Sequence, residues 1–248
     1  MKYTEYGTSN KEVIILLHGG GLAPWNYYKE AALLKEKYHI ILPILDGHNG
    51  SDRDFTSIEE NARSVITYID TYLGGKVLLI GGLSLGGQIL LEILSQRVDI
   101  CKFALIESAL ALAMPTTTAL IKPTLSLSYR LIPKRWFAKL QFAALHMNPC
   151  FFEMYFKDSV SITKENMIAF LLANANYQMK HSLTNCQTKT LILVGEKEHA
   201  FMKRSAKIIH ESIPVSSLEI MSGYYHGELS INHPQIYTEK VYQLIESL

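Results

Sequence analysis

Val77-Leu78-Leu79-Ile80-Gly81-Gly82-Leu83-Ser84-Leu85-Gly86-Gly87-Gln88 joins a short apolar run to a glycine-rich bend and then to a helical pattern. The run is apolar at successive positions, so it predicts a strand covered on both faces. The bend contains Gly-x-Ser-x-Gly, which is informative only between a strand and a helix. In that setting the serine takes strained backbone angles, and Gly82 and Gly86 must be small for strand and helix to close on each other. The turn lifts the Ser84 hydroxyl off the sheet at a helix N-terminus, where N–H groups and the positive dipole end face developing negative charge. A phosphate loop or a plain tight turn would compete with this reading, but Gly-x-x-x-x-Gly-Lys-Ser/Thr is absent.

Similar unalternating runs lie at 13–17, 40–45 and 190–194, with weaker ones at 103–106 and 218–221, making about six strands in all. Helical spacing recurs at 25–37, 58–72, 88–95, 205–212 and 235–247. This alternation predicts an α/β fold with a mostly parallel, doubly wound sheet. It breaks between 108 and 185, where Leu, Phe, Met and Tyr recur at helical spacing and Pro115, Pro123, Pro133 and Pro149 cut the segment into short helices. The expected organisation is a core of 1–107 and 186–248, with 108–185 inserted above the carboxyl ends of the strands, where open α/β sheets bind ligands.

Directly after the run at 13–17 comes His18-Gly19-Gly20-Gly21. Consecutive glycines let backbone N–H groups turn toward a ligand. Acyl transfer needs such donors for its tetrahedral oxyanion, and losing one typically costs about 2.7–4 kcal/mol of barrier. One donor is expected from Leu85 and the other from Gly20, with Gly21 as the fallback. His18 reads as a brace for this loop. Asp46-Gly47-His48-Asn49-Gly50-Ser51 reads as a scaffold turn.

Composition removes several classes. The 248 residues are 48% hydrophobic, enough for a real core, and 24 Lys+Arg against 23 Asp+Glu leave no basic footprint for nucleic acid. Residues 1–7 lack the apolar centre of a secretory signal, and the apolar stretch 103–114 falls short of the roughly 20 residues that span a bilayer. A cytoplasmic location without a transmembrane segment is therefore expected. Cys101, Cys150 and Cys186 are odd in number and lack Cys-x-x-Cys spacing, so they read as reduced. With no His-Glu-x-x-His and no dinucleotide fingerprint, neither metal nor cofactor is expected.

Together His18-Gly19-Gly20-Gly21, Asp46-Gly47-His48-Asn49-Gly50-Ser51, Gly82-Leu83-Ser84-Leu85-Gly86-Gly87, Gly195-Glu196-Lys197-Glu198 and His226-Gly227 resemble the α/β-hydrolase superfamily, small lidded serine esterase type. The resemblance covers nearly the whole chain. It implies an eight-stranded, mostly parallel sheet, a Ser–acid–His triad in that order along the chain, and a helical lid. It implies His226 as the base, after the last apparent strand; His233, beside Pro234 at a helix entry, is the rival. It places the acid at Glu198, three residues past Gly195, with Glu196 and Glu107 as further candidates. His199 and His210 lie on the wrong elements. Two departures stand out: there is room for only one short strand before Val13, and glutamate replaces the usual aspartate, so its loop must be withdrawn by about a methylene.

The expected activity is a carboxylesterase acting on small to medium esters through an acyl-enzyme, with Ser84 attacking, His226 moving the proton and Glu198 holding the imidazole. The same triad serves carbon–carbon bond, thioester or peptide hydrolysis, or a lyase reaction. A ligand receptor on a hydrolase fold is the rival from another class. Between 108 and 152 there is no acidic residue, while Lys122, Arg130, Lys134, Arg135 and Lys139 interleave with Trp136, Phe137, Phe142, Phe151 and Phe152. This pattern reads as a solvated helix face, or as a lid that admits an acyl chain and attracts an anionic group or an interface.

Overall fold

In the computed structural model, which describes residues 1–247, the chain opens with β1 (Tyr3–Tyr6) and β2 (Val13–Leu17). A 3-10 turn at Pro24–Tyr27 leads into α1 (Tyr28–Leu34), followed by β3 (His39–Pro43), α2 (Ile58–Tyr72), β4 (Val77–Leu83), α3 (Leu85–Gln96) and β5 (Cys101–Glu107). Next come α4 (Pro115–Ser128), α5 (Arg135–Ala144), α6 (Phe152–Ser161) and α7 (Lys164–Asn176). The chain then returns to the sheet through β6 (Lys189–Gly195), α8 (Ala200–Ser212), β7 (Ser216–Met221), α9 (Glu228–Asn232) and α10 (Pro234–Glu246). Position 248, the last of the expected core segment, lies outside the described residues.

Among the described residues, seven strands form one sheet in the order β1-β3-β2-β4-β5-β6-β7. β1 runs antiparallel to β3 and every other pairing is parallel. The α/β class and mostly parallel sheet therefore agree with the sequence, but the implied count of eight strands does not. The chain before β2 supplies one edge strand and no second. Ile14, Ile15, Leu16 and Leu17 are all essentially inaccessible, as expected for a strand with helices on both faces. α2 illustrates the covering helices. Ser57 accepts the Glu60 N–H at 3.0 Å as its N-cap, and Ile58, Ala62, Val65, Ile66 and Ile69 form its buried stripe.

Some boundaries differ from expectation. The helix expected at 25–37 starts as the 3-10 turn and ends at Leu34, and the one expected at 205–212 begins five residues earlier at Ala200. α9 has only five residues, too few to display a helical period.

Topology positions the site. From β2 the chain moves outward to β3, and then places β4 on the opposite flank of β2. The loops after β2 and β4 consequently diverge and open a crevice at the carboxyl ends of the strands. Leu17 pairs with Gly82, so the two strands end level and their loops share one rim. The helices between β5 and β6 are tied to this rim by polar contacts. Asp158 of α6 is buried and accepts from the Trp25 indole N–H and, at 2.5 Å, from the Asn49 amide. Asn166 of α7 accepts the Phe55 N–H at 2.8 Å and donates to Asp54 at 2.9 Å.

Below the rim, Glu30 of α1 is 1% exposed and neither of its carboxylate oxygens has a partner among the described residues. Burial pushes this carboxyl up from 4.5 to about 8. Native Glu30 thus keeps its proton where the unfolded chain has released it. Its contribution to stability is complete below 4.5 and is lost as pH rises through about 8. Glu30→Gln removes this titration. Thermal melts should show the variant several degrees more stable than wild type at pH 9, with the gap closing towards pH 4.5; a gap independent of pH would refute the account.

Candidate active site

Backbone hydrogen bonds fix Ser84 between β4 and α3: its N–H donates to the Glu107 carbonyl at 2.8 Å and its carbonyl accepts the Gln88 N–H at 3.0 Å. Its φ of 52° and ψ of −111° fall in a region that a residue with a side chain avoids. Close packing enforces the turn. A Cβ on Gly82 would lie 2.4 Å from the Gly86 carbonyl oxygen, and one on Gly86 only 2.2 Å from that of Leu17. β2, β4 and α3 thus meet backbone to backbone.

The glycine loop after β2 is braced by two buried histidines. His18 Nε2 accepts the Leu45 N–H at 3.2 Å while its Nδ1–H donates to the Gly19 carbonyl at 2.9 Å. His48 Nε2 accepts the Gly21 N–H at 3.0 Å while its Nδ1–H donates to the Asp46 carbonyl at 3.0 Å. A ring that accepts at one nitrogen is neutral. Burial agrees, lowering His18 to about 3, helped by His48 nearby, and His48 to about 4. Asp46 itself pairs with Arg53 at 2.9 Å. Since the Gly21 N–H is committed to His48, it is not open to a ligand. The N–H groups of Gly20 and Leu85 have no partner among the described residues, and that of Leu85 is a first-turn donor of α3.

Glu198 and His226 meet from the loops after β6 and β7. The His226 Nδ1–H donates to Glu198 Oε2 at 2.7 Å, while Oε1 accepts the Ser108 hydroxyl and the Gly195 N–H, each at 2.7 Å. The Glu198 side chain is fully enclosed, whereas 45% of that of His226 is exposed. Burial alone would raise the Glu198 pKa, but the His226, Ser108 and Gly195 donors outweigh it and hold the carboxyl below its usual 4.5. The extra methylene of glutamate is taken up locally. The Glu198 N–H donates to the Gly195 carbonyl at 3.2 Å, and in this tight turn the side chain folds back to the Gly195 N–H.

The other candidates lie elsewhere. Glu196 accepts from the Ser222 hydroxyl at 3.0 Å and the Gly223 N–H at 2.7 Å. Glu107 is buried and accepts the Ser230 N–H at 3.3 Å, and burial pushes it up to about 7. His233 stacks on Tyr224 at 4.8 Å, His210 bonds the Ser216 hydroxyl at 2.9 Å, and His199 occupies the N-cap position of α8 with no side-chain capping bond. No hydrogen bond among the described residues joins any of them to His226. Sequence reasoning missed Ser108 as a partner of Glu198 and His48 as the acceptor for Gly21. Ser108, with φ of 54°, sits directly after β5, and the polar break at Glu107-Ser108 was the available signal.

Ser84, His226 and Gly20 line one cavity of about 250 Å³, and Ile132, Tyr155, Ile162 and Phe170 from the helices after β5 close over it. A hydroxyl, an imidazole on a buried carboxylate and two free N–H groups can together carry nucleophilic attack, proton transfer and oxyanion binding. Among the described residues no group of three His, Cys, Asp or Glu side chains is placed to hold a metal, and no helix is long and apolar enough to cross a membrane. Cys101, Cys150 and Cys186 are free.

Solved structures share this fold. An esterase from Thermogutta terrifontis with malate bound is 19% identical, with 99% of this chain and 93% of that one covered at a TM-score of 0.82. The esterase EaEST from Exiguobacterium antarcticum is 19% identical over 98% of this chain and 94% of that one, at 0.83. MenH from S. aureus is 17% identical over 99% of this chain and 97% of that one, at 0.78. At these identities the likeness concerns the fold. The family model described as the alpha/beta hydrolase family matches residues 14–202, a span that holds Ser84, Glu198 and all the helices between β5 and β6. On that match, the chain belongs to the alpha/beta hydrolase family.

Proposed function

We propose that this chain is a serine hydrolase that cleaves small to medium carboxylic esters, with residues 108–185 as a lid. The reading is carried by the 2.7 Å hydrogen bond from His226 to Glu198, in a cavity that His226 shares with Ser84 and Gly20. The esterases among the structural relatives are consistent with it.

With its Nδ1–H held by Glu198, His226 has Nε2 left to take the Ser84 proton as Oγ attacks the ester carbonyl. Charge develops on the carbonyl oxygen, and the N–H groups of Gly20 and Leu85 receive it. Little reorganisation is needed, because His48 ties down the neighbouring Gly21 and Leu85 opens the first turn of α3. His226 then protonates the departing alcohol. In the second half-reaction it activates the water that releases the acyl group from Ser84. Glu198 stays ionised throughout, orienting the imidazole and stabilising its charged form.

A fluorophosphonate probe followed by peptide mapping tests the nucleophile. The label is expected on Ser84 and should vanish in Ser84→Ala and His226→Ala; native protein that binds ligands yet never labels would point to a receptor. For the acid, Glu198→Gln should lower kcat on a short-chain aryl ester by about 10⁴-fold. Glu107→Gln should cost less than about tenfold, since that carboxyl touches neither His226 nor substrate. The reverse order in steady-state kinetics would reassign the acid. His48→Ala frees the Gly21 N–H and unties the loop. It should lower kcat on the same ester by about 10- to 100-fold, with KM changed far less.

A further inference from the structure

Apart from the groups assigned to catalysis, the wall of the cavity is apolar, built from Ile132, Leu145, Met147, Ile162, Met167 and their neighbours. Its remaining polar side chains are Tyr155, Ser159 and Gln141. The Ser159 hydroxyl already donates to the Tyr155 carbonyl at 2.8 Å, burial holds the Tyr155 phenol above 10 and so leaves it a neutral O–H donor, and Gln141 is exposed at the rim. Buried polar atoms without a partner do occur in this protein, at Tyr27, Glu30, Tyr237 and Ser230, but among the described residues none of them lines this cavity. Nor does any lysine or arginine. Lys122, Arg130, Lys134, Arg135 and Lys139 are all exposed and absent from the lining, and Arg135 is paired with Glu153.

We infer that the acyl side of this site takes an uncharged aliphatic chain of short to medium length and refuses an acyl group that ends in a carboxylate. The inference rests on Ser84 as nucleophile. A carboxylate entering such a wall gives up its water and finds no cation in return, only the neutral Tyr155 phenol as a side-chain donor. An aliphatic chain loses nothing of the kind, and each methylene buried gains about fourfold in binding. The cavity, at about 250 Å³, lies below the usual range of sites for drug-sized ligands, so the gain stops after a few methylenes. This narrows what the basic segment suggested: its charges face solvent and do not draw an anionic acyl group inside.

Two esters with the same five-carbon acyl chain provide the test, 4-nitrophenyl pentanoate and mono-4-nitrophenyl glutarate. The native protein should favour the pentanoate in kcat/KM by at least about tenfold, and on the order of a hundredfold, from the unpaired buried charge. A ratio below about ten overturns the inference. Equilibrium binding of both esters to Ser84→Ala, read by calorimetry, examines the wall without the chemistry. Binding of the pentanoate alone supports the inference; a native protein that never takes a fluorophosphonate label would instead remove Ser84 as nucleophile, and with it the assignment of this wall to the acyl group. Equal binding of the two, or binding of neither, overturns the assignment of the cavity while a labelled Ser84 stands.

Discussion

The contact on which the site depends is between backbones, not side chains. Gly86 at the head of α3 lies against the Leu17 carbonyl, and Gly82 lies against Gly86, with no space for a methyl group at either position. This approach pulls the start of α3 onto the ends of β2 and β4 and leaves Ser84 only one backbone conformation in which to bridge them. The strain at φ 52° is therefore held by the packing of three elements. The same contact fixes where the loop after β2 begins, so the hydroxyl and the glycine N–H groups are placed by one constraint.

Around that point, environment divides chemically identical side chains into different roles. Glu198 and Glu107 are both buried, yet three donors keep the first ionised while the second, short of partners, is pushed up to about 7. Histidines divide in the same way. His18 and His48 are enclosed and held neutral, each accepting a backbone N–H. His226 keeps an exposed edge and a carboxylate behind its Nδ1. The second setting offers an imidazole both water and a counter-charge, and the first offers neither.

What could be read from the sequence was whatever rests on local pattern. α2 appeared at its full extent because its cap and its apolar stripe both lie within the segment. The Ser84 turn appeared because strand, glycines and helix start are contiguous. The choice between Gly20 and Gly21 was of another kind. It depends on His48, 27 residues away, whose ring occupies the Gly21 N–H. Ser108 was hidden similarly: its partner Glu198 is 90 residues distant, and the polar break at Glu107-Ser108 marks the end of the strand without naming the carboxylate it meets. The strand count implied by resemblance came from relatives, whereas the described residues before β2 form β1 alone.

The basic, aromatic segment shows why composition can mislead about a site that it helps to build. Residues 108–152 supply both the exposed lysines and arginines and part of the apolar wall, including Ile132, Leu145 and Met147. On a helix, apolar and charged residues alternate in sequence but face opposite ways. In α5, Ala138 and Phe142 turn inward while Arg135, Trp136, Lys139 and Leu140 face solvent. Charge counted along the chain therefore describes the outer surface of the insertion and not the cavity, whose lining holds no lysine or arginine. Ile132 lies before α5 and Leu145 and Met147 after it, at or beyond the helix ends, so this part of the apolar wall comes from these connections and not from the net charge of the segment.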